Sequence, residues 1–187
     1  VEHIDEKVAA LLPWGEMPFL LCTRDAGMPG ARINGILAGL AVPGGKPLVG
    51  ARAFQVTHGQ ISVFVAIEQA RKLLDERNVG ACLIMAVDSL IDARELSWLA
   101  SRMRLKTSKV TDGLIPGEAA CILVVSRRPI FDGSLRLRGL GLAAETATAS
   151  NEEPFRADGL SAALKTALGE ANVEMHEIAF RLSDVGG

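Results

Sequence analysis

Val56-Thr57-His58-Gly59-Gln60-Ile61-Ser62 joins a short apolar run to a helical pattern, and the chain organises around that junction. Upstream, residues 53–57 read as a strand. Downstream, residues 64–77 predict an amphipathic helix, with Ile67, Ala70 and Leu74 on one face and Glu68, Arg71 and Asp75 off it. Ala81-Cys82-Leu83-Ile84-Met85-Ala86-Val87 then runs without a polar break, as a strand covered on both faces must. Strand, turn, helix and strand in this order predict an α/β fold with a largely parallel or mixed sheet.

The flanking sequence continues the alternation. Ile4, Val8, Leu11 and Leu12 keep a helical spacing that Pro13 ends. Pro18-Phe19-Leu20-Leu21-Cys22-Thr23 is a short buried strand, followed by a Gly- and Pro-rich stretch to residue 50. Within that stretch, residues 36–42 are apolar and fit either a helix or a strand. Asp92 with Glu95 three residues on resembles a capping box, and Leu96, Leu99 and Met103 carry the helix it opens. Residues 119–125 predict another buried strand and residues 135–143 a further one. Leu160, Leu164 and Leu168 mark a last helix, followed by a strand over residues 178–182.

Composition narrows the function classes. The 187 residues are 49% hydrophobic with a net charge of -2, enough apolar material for a real core. Charges are mixed along the chain and no basic face stands out, which argues against nucleic acid as a partner. No apolar run reaches the roughly 18 residues a membrane helix needs. Val1-Glu2-His3-Ile4-Asp5 is polar, unlike a secretory leader, so a cytoplasmic location is expected. The three cysteines have no metal spacing, and Cys22, Cys82 and Cys121 each lie in an apolar run, which reads as core in a reducing compartment. No cofactor is expected. Gly44-Gly45-Lys46 lacks P-loop spacing, and Gly139-Leu140-Gly141 lacks the third glycine of a dinucleotide fingerprint. In His176-Glu177, Phe180 stands where a zinc motif needs its second histidine.

The junction resembles the nucleophile elbow of the β-ketoacyl synthases, members of the thiolase-like superfamily. Gln60 falls in the slot where those enzymes hold a cysteine, and His58-Gly59 in the slot of Thr-Ala. Thr111-Asp112-Gly113-Leu114-Ile115-Pro116-Gly117-Glu118-Ala119-Ala120 is similar to the family's Arg-Asp-Gly-Phe-x-x-Gly-Glu-Gly-Ala. Ile178-Ala179-Phe180-Arg181-Leu182-Ser183-Asp184 lies where the family has a strand ending in Asn-Ala-His-Gly, which puts Asp184 in the first histidine slot. The resemblance implies a layered α-β-α-β-α fold. Residues 1–130 would be an N-terminal ketosynthase-like half and residues 131–187 the start of an incomplete second half. It also implies a homodimer or a heterodimer with a ketosynthase-like subunit, formed through residues 53–57, and acyl carrier protein as a further partner.

Departures from the family pattern set the functional expectation. Thioester exchange needs a nucleophile that is also a good leaving group, which a thiolate is and a carboxamide is not. A helix N-terminus lowers a thiol's pKa, and elbow N–H groups hold the oxyanion, but here the group they would serve is Gln60. The histidines are His3, His58 and His176, and none falls in a family histidine slot. The expected role is therefore a non-condensing partner or scaffold, similar to a chain-length factor, in fatty-acid or polyketide-type metabolism. The alternatives are an active acyltransferase or malonyl-decarboxylase acting on carrier-protein thioesters, and an α/β binding protein that shares only the fold. In the plainest reading, Gln60 is a polar turn residue, His58 a strand-end histidine, Asp112-Gly113 a turn, Glu118 a buried hydrogen-bonded carboxylate, and Asp184 part of a loop.

Overall fold

A computed structural model describes Leu12 and residues 16–23, 52–76, 79–147, 154 and 156–182. The expected first helix (apart from Leu12), the apolar stretch 36–42, Gly44-Gly45-Lys46 and Asp184 lie outside these residues. The chain divides into two compact units between Asp132 and Gly133.

The first unit is built on a four-stranded mixed sheet: β1 (Phe19–Cys22), β2 (Ala53–Val56), β3 (Ala81–Ser89) and β4 (Glu118–Ser126) in the order β2-β1-β3-β4. β1 runs parallel to both β2 and β3, with Cys22 opposite Val56 on one side and Ala86 on the other. β4 is antiparallel to β3. Helix α1 (Ser62–Asp75) follows β2 and leads to β3. Helix α2 (Ala93–Ser101) and a long return loop join β3 to β4.

Side-chain alternation explains why β1 and the first half of β3 carry no polar residue. On one face Leu20, Cys22, Val56, Cys82 and Ile84 meet Ala66, Ala70 and Leu74 of α1. On the other, Phe19, Leu21, Ala81, Leu83 and Met85 cluster with Leu12 and Met17. Each large side chain so buried stabilises the fold by about 1.5–3 kcal/mol. Ala66 and Ala70 are fully buried, so α1 seats close to the sheet without bulky side chains between them. Arg127 secures its far end: Nε donates to the Leu74 carbonyl and the guanidinium pairs with Asp75. That satisfies one of the carbonyls a helix C-terminus leaves open and places a cation at the negative end of the dipole.

Asp92 caps α2 as its spacing predicts, its Oδ1 accepting from the Arg94 and Glu95 amides at 2.9 and 3.0 Å. The helix stops earlier than its apolar spacing suggests. Met103 has φ +54°, and the Arg104 and Met103 amides return to the carbonyls of Leu99 and Ala100, a Schellman ending.

Three strand readings need correction. β4 forms where residues 119–125 predict it, but it is exposed along its first six residues, and among the described residues it pairs only with β3. Residues 135–143 belong to no ladder, and neither do residues 178–182, among the described residues. An apolar run supplies side chains for a strand, but the strand exists only where another backbone takes up its N–H and C=O groups. In the second unit the element that meets residues 135–143 is a helix, α3 (Asp158–Ala171), with Gly139 and Gly141 against its Ala163 and Ala167 carbonyls.

Candidate functional site

The register of β1, β2 and β3 brings Cys22, Val56 and Ala86 to one level. Beyond that level β1 and β2 end while β3 runs on to Ser89, and the carboxyl ends of parallel strands are where open α/β sheets place ligands. The Thr23 amide donates to the Val56 carbonyl at 3.1 Å, and Gln55 Nε2 donates to Thr23 Oγ1 at 3.0 Å, so the ends of β1 and β2 are tied together.

β2 passes into α1 through Thr57, His58 and a single 3-10 turn, Gly59–Ile61. Ser62 closes this turn. Its buried hydroxyl accepts from the His58 amide at 2.8 Å and donates to the Gly59 carbonyl at 2.7 Å. Gly59 takes φ +59°, a left-handed conformation that a residue with a Cβ resists. Gln60 follows it and does not share that conformation. In a nucleophile elbow the nucleophile itself occupies the sharp turn. Here glycine absorbs the turn one residue earlier, so Gln60 is held without backbone strain.

His58, Gly59, Gln60 and Ile61 are all exposed. Neither the Gln60 carboxamide nor the His58 imidazole has a hydrogen-bond partner among the described residues. α1 begins directly beyond them with no side-chain cap, so its first amides face the same end of the sheet. The structure thus presents an amide side chain and a helix N-terminus together, while the hydroxyl of the turn, Ser62, is buried and engaged by the His58 amide and the Gly59 carbonyl. His176 lies in the second unit, in the short 3-10 turn Met175–Glu177, and is exposed.

The three thiols differ in environment, which corrects the reading of all three as core. Cys22 and Cys82 are buried and Cys121 is exposed on β4. Burial pushes the Cys22 thiol from 9.0 up to about 11, with the nearby Cys121 adding to the rise. Burial also raises Cys82 from 9.0 to about 11, where Arg52 pulls down and Glu76 pushes up by less. Neither is a thiolate at neutral pH, and thiolate is the reactive form. An aromatic disulfide reagent is expected to titrate Cys121 rapidly in the folded protein and Cys22 and Cys82 only on unfolding. Prompt release of more than one equivalent among these three would contradict that order.

Glu118 accepts from Ser89 Oγ at 3.1 Å as the first residue of β4, but it is exposed, not buried. The neighbouring Leu90 amide donates to the Gly117 carbonyl at 2.9 Å, so the Gly117-Glu118 segment locks the end of β3 to the start of β4. Its place in the fold is that of a clasp between strands. An open recess of about 500 Å³ lies at the opposite end of β3 from this site, lined by Val79, Gly80, Ala81 and the segment 126–130. The one cation of that lining seen to be engaged, Arg127, already holds the end of α1.

The part of the site that sequence reading passed over is Ser62. A hydroxyl three residues after Gly59, at a helix start, has the spacing of a serine turn, and that signal was present in the sequence. Asp184 lies outside the described residues, so the structure places it neither near Gln60 nor away from it. Among the described residues no three His, Cys, Asp or Glu side chains cluster as a metal site, and no helix is long and apolar enough to cross a membrane. No protein-family model matches the chain, and no curated protein matches it either.

Proposed function

We propose that this chain is a ketosynthase-like protein that does not condense and instead acts as a partner subunit in acyl-chain synthesis. One observation supports the reading: Gln60 stands on the strand–turn–helix junction beyond the carboxyl ends of the parallel strands β1 and β2, and the resemblance assigns that junction the thiol of a condensing enzyme. A carboxamide offers a donor and an acceptor there but neither attacks a thioester nor leaves as a thiolate. In this reading Gln60 shapes or occupies an acyl site, the Asp184 position replaces a catalytic histidine, and His58 is a neighbour of the turn without a proton-transfer role. Among the described residues β2 pairs with β1 alone, and in this reading its other side receives a ketosynthase-like subunit. The dimer through β2 and the acyl carrier protein as a further partner rest on analogy of fold.

The test is covalent labelling. Incubation with radiolabelled acetyl and malonyl carrier-protein thioesters is expected to leave the protein unlabelled and to release no carbon dioxide. A label retained on Cys121 or another cysteine sinks the partner reading. Carbon dioxide release that disappears in Gln60→Ala establishes a decarboxylase in its place.

A further inference from the structure

The mixed charge of the chain as a whole conceals one local exception. Between Glu95 and Asp112 no acidic residue occurs, while Arg102, Arg104, Lys106 and Lys109 give that interval a charge of +4 in a chain whose total is -2. All four side chains are exposed, and none has an ion-pair partner among the described residues. The backbone that carries them is held in shape. The Leu114 amide donates to the Arg104 carbonyl at 2.7 Å, and the Lys106 amide donates to the Leu114 carbonyl at 2.9 Å. Leu105 between them is half-buried, so Arg104 and Lys106 share the outward side. Thr107 Oγ1 accepts from the Lys109 and Val110 amides at 3.2 and 3.1 Å, which fixes the turn that presents Lys109. Two large apolar side chains stand among these cations. Trp98 lies one turn before Arg102, half exposed, with the guanidinium 5.9 Å from its ring centroid, and Met103 is two-thirds exposed. β3 runs parallel to β1, as β2 does, so α2 and this return loop leave the sheet at the same end as the Gln60 junction.

We propose that this surface docks a protein partner whose contact face is acidic and carries apolar residues among its carboxylates. Charge sets the sign of the partner: four unpaired cations on one loop attract carboxylates and repel a basic surface. The apolar members set its class. Trp, Met and Arg are the residues enriched at the desolvated centre of protein interfaces, whereas a phosphate backbone offers Met103 nothing to pack against. A loop already ordered by its own hydrogen bonds loses little freedom on docking, so less of the contact energy is spent on ordering it. The inference stands on this surface alone and does not depend on the ketosynthase-like reading.

Fluorescence anisotropy of a labelled random copolymer of glutamate and tyrosine, titrated with the whole chain, tests this. Polyglutamate, a short DNA duplex and phosphatidylglycerol vesicles serve as the competing probes at the same salt, about 0.1 M, where the Debye length is about 10 Å. The copolymer is expected to bind tightest. The variant Arg104→Glu, Lys106→Glu, Lys109→Glu is expected to weaken it at least about tenfold and to flatten its salt dependence. The charge-matched variant Arg128→Glu, Arg136→Glu, Arg156→Glu, with all three changes at exposed cations elsewhere, is expected to change it by about twofold or less. Trp98→Ala is expected to weaken the copolymer at least about fivefold while leaving polyglutamate nearly unchanged, a split that a merely unfolded variant does not produce. Absence of copolymer binding, tighter binding of the duplex or the vesicles, equal loss in the two charge variants, or copolymer binding indifferent to Trp98→Ala would each overturn the proposal.

Discussion

Between pH 9 and pH 11 the protein is expected to lose about 3–5 kcal/mol of unfolding free energy through Cys22 and Cys82 alone. Both thiols are held near 11 in the folded chain against an ordinary 9.0. Each tenfold change in proton affinity is worth about 1.4 kcal/mol, so two thiols that each bind their proton about a hundredfold more tightly give a little over 5 kcal/mol as the upper bound. The sign follows from proton counting. Below pH 9 both thiols are protonated in both states, and the contribution is fully present. Between 9 and 11 the unfolded chain releases protons that the folded chain keeps, so each step upward in pH favours unfolding. Above about 11 the folded thiols ionise as well and the slope ends. Denaturant unfolding across this range measures it, with the Cys22→Ala, Cys82→Ala variant as the control. That variant loses a roughly pH-independent amount for its missing sulfur contacts, and its stability should then change far less from pH 9 to 11. An unchanged slope in the variant would assign the alkaline loss to other groups. The result bears on reactivity too, because thiols held protonated in this way are poor nucleophiles at neutral pH.

The residues that announced the fold are those whose environment is local or symmetrical. Ala81 to Met85 are buried on both faces of β3, so an unbroken apolar run was sufficient to mark them. Ala66, Ala70 and Leu74 recur every four residues and face the sheet, so helical spacing identified α1. Asp92 is legible because a cap bonds amides two and three residues away. Direction and coverage are not local properties. Nothing in Ala119 to Val125 encodes that β4 runs against β3 or that it stays exposed, since both depend on the return path after α2 and on what lies above the sheet. Met103 fits the apolar face of α2 by spacing, yet it is the residue on which the helix turns out, through bonds to Leu99 and Ala100. At the candidate site, the strand, the turn and the helix could be read from sequence. That Gly59 and not Gln60 takes the left-handed conformation could not, because a sequence shows a glycine without showing its φ.

Gly141→Ala and Gly169→Ala are expected to change stability in opposite directions, and the contrast shows what Gly139-Leu140-Gly141 is for. A Cβ on Gly141 would lie 1.8 Å from the Ala163 carbonyl oxygen, and one on Gly139 would lie 2.0 Å from that of Ala167. Both obstacles are helix backbone, which no rotamer change relieves, so the segment and α3 must separate to admit a methyl group. Overpacking of this kind costs about 1–3 kcal/mol, and more where the neighbours are rigid. Gly169 lies on α3 itself, where a Cβ meets nothing within 4 Å. Alanine there raises helix propensity by up to about 1 kcal/mol. Hydrogen exchange of the α3 amides distinguishes the two: faster in Gly141→Ala, slower in Gly169→Ala, with β1 and β3 of the first unit as the internal reference. If Gly141→Ala left α3 exchange unchanged, the close approach of segment and helix would not be holding this unit together. The two glycines that fail as a nucleotide fingerprint would then have no structural role either. The expected loss assigns them one, which is to bring the backbone of this segment flush against a helix.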